Sequence, residues 1–117
     1  MNALLDSLVP VGVALIFNAV DLITGIIGAV KNKDLESGKM RDGIFKKVGF
    51  IFCYVLAILL DNFGSTVGIQ IGVKLLPIIC IYVIMTEVVS IIENIHRINP
   101  DLLPEKLKEL FHIKDNK

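Results

Sequence analysis

The strongest constraint on this chain is the stretch Leu8–Val30, LVPVGVALIFNAVDLITGIIGAV, about 23 residues with one formal charge, Asp21. A helix needs about 20 apolar residues to cross the hydrocarbon core of a bilayer, so this segment is long enough to span. It differs from a secretory leader in three ways. No Lys or Arg precedes it, its apolar run is too long, and no small-x-small cleavage site follows. Pro10 falls in its opening turns, where a missing N–H does little harm. The reading is a retained transmembrane helix.

Two further segments follow. Val48–Leu60 is short for a span. Ile44 and Phe45 before it, and Asn62 and Phe63 after it, extend it to about 20 residues, provided that Lys46 and Lys47 snorkel to the interface. Leu75–Ile95 is the third, interrupted by Glu87, Ser90 and Glu93. The expected fold is all-α: one membrane domain over 1–117 with spans at about 8–30, 44–63 and 75–95 and a cytoplasmic loop at 31–43. Hydrophobic residues make up 54% of the 117 and mean hydropathy is +0.71. A soluble domain this small has too much surface to hide that much apolar area, so a membrane is the matching solvent.

The connections differ in character. Lys31–Lys47 holds six basic residues, Lys31, Lys33, Lys39, Arg41, Lys46 and Lys47. Asp61–Lys74 carries Gly64, Gly68 and Gly72, the pattern either of a short connection or of a close helix contact. After Pro100, Leu103, Leu107, Leu110 and Phe111 share one helical face with Lys106, Lys108 and Glu109 largely opposite. A short amphipathic helix at 101–113 follows, suited to a membrane surface or a neighbouring subunit. Five basic residues lie in 96–117, whereas residues 1–8 have none and 61–74 has Lys74 alone. The positive-inside rule then puts the N-terminus out and the C-terminus in, which an odd number of spans requires. With no Trp, the interfacial anchors are expected to be Tyr, Lys and Arg.

No enzymatic constellation is visible: there is no Gly-rich phosphate loop, HExxH or nucleophile elbow. No catalytic, cofactor-binding or metal-ligating residues are assigned. His96 and His112 read as solvated interfacial residues, and Cys53 and Cys80 as small apolar packing residues without a disulfide. The formal net charge is zero, so nothing in the bulk charge favours nucleic acid as a partner.

The informative residues are the polar ones inside the spans. Asn18, Asp21, Gly25 and Gly28 share a narrow face of the first helix, and Ala14 extends it. Such a small, polar stripe lets another helix backbone come close, and it is expected to be a main contact between copies. In the third helix Glu87 and Ser90 lie together, with Asn94 one turn on. An ionised Asp facing lipid at mid-depth costs about 2.5–3.5 kcal/mol even on the lenient insertion scale, so Asp21 should face protein or water. Asp21 and Glu87 are expected at similar depth with no Lys or Arg in reach. Two roles stay open for them: hydrogen-bonded or protonated glue between helices, or the lining of an aqueous lumen.

Three blocks carry a family resemblance. They are FNAVDLITGIIGAVKNK, the loop end MRDGIFKKVGF, and TEVVSIIENIHRINPDLLPEKLKELF, where Glu-x-x-Ser leads into a Pro-interrupted amphipathic tail. In this order the chain resembles the toxin-secretion and phage-lysis holin family over most of residues 17–111. The resemblance implies a small protein that forms homo-oligomers in the bacterial cytoplasmic membrane. Its lesions would release a cell-wall hydrolase or a toxin without required direct contact. Its partners would be copies of itself and the lipid bilayer. The alternatives are a small ion or proton conduit, an antiholin, or an accessory subunit of a membrane complex.

Overall fold

A computed structural model describes residues 3–33 and 37–110. Three long helices, α1 (Ala3–Lys31), α2 (Ser37–Phe63) and α3 (Leu75–Ile98), are followed by a short α4 (Glu105–Leu110). No strand occurs among the described residues. Each long helix contains a window apolar enough to cross a membrane. At 1.5 Å per residue, even the shortest of the three exceeds the roughly 30 Å of hydrocarbon. α2 begins at Ser37, inside the stretch read as a loop at 31–43, so much of that basic segment is helix rather than loop. Its charges are carried on a helical extension of the span.

α3 is the central element. α1 packs along it, α2 packs on it, and α1 and α2 touch each other less. The apolar core joins Ala14 of α1, Tyr54 and Ala57 of α2, and Leu76, Cys80 and Val83 of α3. Outward faces carry Ile16, Phe52 and Ile81, each more than 60% exposed, the arrangement expected of lipid-facing side chains. Tyr54 is 2% exposed and therefore belongs to the core, correcting its reading as an interfacial anchor, whereas Tyr82 faces outward. Cys80 is buried and Cys53 exposed, and both thiols are free. His96 is also buried, not solvated, while His112 lies outside the described residues.

The connection between α2 and α3 is a turn built on glycines. A 3-10 turn spans Gly64–Val67 and ends on Gly68 at φ 86°, and Gly72 follows at φ 87°. Both are left-handed conformations that cost an ordinary side chain energy but cost glycine none. A Cβ on Gly64 would sit 3.1 Å from the Ile69 carbonyl oxygen. These three glycines shape the turn and mark no helix–helix contact. Asp61 then closes the start of α3. Its carboxylate accepts the Leu75 and Leu76 backbone N–H groups at 2.8 and 2.9 Å, satisfying donors that have no partner inside the helix.

At the opposite end, Asn32 donates to the carbonyls of Gly28 and Arg97, and Lys31 Nζ donates to the Ile98 carbonyl. The ends of α1 and α3 are thus tied at one level. α4 begins at Glu105, not at 101 as expected, so Leu103 precedes it; Leu103 and Leu107 are half-buried but Leu110 is exposed. Lys108 is buried and lies 3.6 Å from Glu105. The inward face of the tail therefore includes a lysine, contrary to the expected segregation, and Phe111 lies outside the described residues.

Candidate functional site: a buried ion-pair cluster between three helices

Helical periodicity puts Gly43, Lys47, Tyr54 and Ala57 on one side of α2, the side that meets α3. Lys47 is the consequence that the sequence reading missed. Its ammonium lies 2.7 Å from Asp21 Oδ2 on α1 and 2.9 Å from Glu87 Oε2 on α3. The expectation that no cation reaches these acids is corrected: Lys47 turns inward and bridges them. Lys46, its neighbour, is exposed, with its ammonium 5.7 Å from the Phe50 ring centroid.

Around this triad the polar groups are nearly all matched. Asn18 Nδ2 donates to Glu87 Oε2 at 3.0 Å, and the Tyr54 hydroxyl donates to Asn18 Oδ1 at 2.9 Å. Asn94 Nδ2 donates to Asp21 Oδ1 at 2.9 Å, with the Asp21 carbonyl and Thr24 Oγ1 also within reach at 3.1 and 3.0 Å. Thr24 in turn donates back to the Val20 carbonyl of its own helix. Glu87 is fully buried, and its Oε1 has no hydrogen-bond partner among the described residues. Asp21 lies ten residues before Lys31, about 15 Å along the axis, which puts the cluster near the middle of the hydrocarbon. Charges at that depth persist only when they are paired and hydrogen-bonded.

The stripe on α1 faces α3 of the same protomer. Ala14 is fully buried and Asn18 and Asp21 nearly so. A Cβ on Gly25 would come to 3.5 Å from the Asn94 side chain, and one on Gly28 to 3.6 Å from Arg97 Cβ. Glycine here lets α1 approach α3 closely. Ser90 lines, with Asp21, Lys47 and Asn94, a cleft of about 220 Å³ at the basic end of the bundle. Of the six basic residues of the 31–47 segment, Lys39 and Lys47 also line that cleft, and Lys31 binds the end of α3. Of the cluster's members, Asn94 was marked in the sequence by its spacing from Ser90. Tyr54 and Thr24 were not, because a lone hydroxyl in an apolar run has no signature until its partner helix is known.

Comparison with known proteins agrees with this architecture. A family model described as the bacteriophage holin family matches residues 4–116. The chain is 31% identical over 110 residues to a Clostridium perfringens protein named "Uncharacterized 14.9 kDa protein in nagH 3'region", covering 93% of this chain and 79% of that one. No solved structure matches. Three apolar helices of spanning length, a charged cluster held between them and a family match over nearly the whole chain lead to one conclusion: this is a multi-pass membrane protein that belongs to the bacteriophage holin family.

Proposed function

We infer that the protein oligomerises in the bacterial cytoplasmic membrane and opens lesions that let a cell-wall hydrolase or toxin escape. The observation that carries this reading is the family match over residues 4–116. The polar cluster supports it physically. Three packed helices leave no wide lumen, so a hole needs many copies, and each copy carries Asn18, Asp21, Lys47, Glu87 and Asn94 as groups able to face water once helices separate. The N-terminus lies outside and the C-terminus inside, from the distribution of Lys and Arg.

Inducible expression tests the reading, with viability, release of dyes of graded size and release of a cytoplasmic enzyme measured together. Loss of viability with release of the enzyme is the expected result. Depolarisation with retention of every dye would identify an ion conduit instead. Harmless accumulation that delays lysis by a co-expressed holin would identify an antiholin. Labelling at Ser7→Cys and Asn116→Cys, in a background with Cys53 and Cys80 replaced, checks orientation. Position 7 should react from outside and position 116 only after permeabilisation.

A further inference from the structure

The cleft at the basic end has a lining that the ion-pair cluster does not use. α1, α2 and α3 all contribute to this cleft of about 220 Å³. Its floor is the Asp21–Lys47 pair. Leu22 and Ile26 on α1 and Met40 on α2 form an apolar side, and Ser90 and Asn94 on α3 a polar one. A Cβ added to Gly43 would meet nothing within 4 Å, so the α2 wall is open. At the mouth stand Lys39 and Arg97, both exposed. Asp21, the acid of the lining, is already engaged by Lys47, and Lys39 and Arg97 are the other charged residues of the lining.

The level of these groups matters. Arg97 precedes Ile98, whose carbonyl accepts from Lys31 at the end of α1, and Lys39 is in the first turn of α2. That places both cations at the headgroup level. Ile26 and Leu22 lie five and nine residues before Lys31, about 8 and 14 Å deeper, at acyl-chain level. Cations at headgroup level above a cleft with one apolar side are complementary to an amphipathic anion of the bilayer. The geometry points to a binding site for an anionic phospholipid, with its phosphate between Lys39 and Arg97 and an acyl chain along Ile26 and Leu22. This inference rests on the chain lying in a membrane and not on lesion formation, so the two fail separately.

The absence of Trp permits a direct test in the full chain. Met40→Trp puts a single fluorophore in the cleft, and Phe52→Trp puts one on an exposed face of α2 as a reference. Each is reconstituted in phosphatidylcholine vesicles in which either a minor fraction of phosphatidylglycerol or the same fraction of phosphatidylcholine is brominated on its acyl chains. Two surface cations at about 1 kcal/mol each correspond to roughly thirtyfold local enrichment of the anionic lipid. Met40→Trp should therefore be quenched by brominated phosphatidylglycerol far beyond its bulk fraction and by brominated phosphatidylcholine only in proportion. Phe52→Trp should show no preference.

Adding Lys39→Gln and Arg97→Gln should abolish the excess. Should the pair fail to fold by circular dichroism, Lys39→Gln alone should lower the enrichment about fivefold. Equal quenching by both lipids, or equal preference at Phe52→Trp, overturns the site. So does shielding of Met40→Trp from both lipids, which would mean that a second copy fills the cleft. Loss of the excess in inorganic phosphate, but not in chloride of matched ionic strength, would reveal a free-anion site and overturn the lipid assignment.

Discussion

The two halves of this bundle are held by different means. In one half, Ala14, Tyr54, Ala57, Leu76, Cys80 and Val83 meet in an apolar core closed by the Asp61 cap. In the other, Asp21, Lys47, Glu87 and Asn94 meet in a charged network beside an open cleft. In water the first would dominate stability. In lipid, apolar side chains are solvated equally well apart or together, so the apolar half contributes packing and little else. The polar half has no such indifference, because each of its groups is costly to expose to hydrocarbon. The difference teaches that this membrane protomer is specified where it is polar.

Unpairing the charges would test that contrast most severely. Lys47→Met leaves two buried carboxylates facing each other and should destabilise the protomer by about 3–5 kcal/mol, read by denaturant unfolding in detergent. Replacing Lys47, Asp21 and Glu87 together by Met, Leu and Leu should recover most of that loss, since an apolar replacement of a whole buried ion cluster is often neutral or stabilising. A triple variant as unstable as Lys47→Met would show that the cluster holds the fold by more than mutual compensation.

A smaller effect is expected at the seam. Gly25→Leu with Gly28→Leu overpacks α1 against Asn94 and Arg97 and should cost about 2–3 kcal/mol. The loss should appear in monomer unfolding, not only in crosslinked oligomers. In the apolar half, Leu76→Ala should cost about 2 kcal/mol, the low end for such truncations, because transfer to water is no part of the loss. Tyr54→Phe, which removes the hydrogen bond to Asn18 and no volume, should cost about 0.6 kcal/mol. Unfolding midpoints in one detergent rank all four, and an order with Leu76→Ala above Lys47→Met would reverse the comparison.

The fold was readable because the bilayer imposes a length and a polarity on every span, and Leu8–Val30 and Leu75–Ile95 satisfy both plainly. The N-terminal extension of α2 to Ser37 was not readable, since a charged helix leaving the membrane has the composition of a loop. Within the site, Asp21 and Glu87 announced themselves as charges inside apolar runs. Lys47 did not, because it sits at the basic edge of its span, where lysines ordinarily reach toward water. Its spacing from Tyr54 was the available signal: seven residues is two helical turns, so whatever buries Tyr54 also draws Lys47 inward.

The Asp61 cap has a mechanical consequence. It fixes α3 to the end of α2, and the Lys47–Glu87 contact fixes the same two helices 14 residues further back, about 21 Å along α2. Two fastenings that far apart resist twisting as well as separation, so α2 and α3 behave as one stiff panel. Turning Glu87 away from the bundle by rolling α3 on its axis would have to tear both at once.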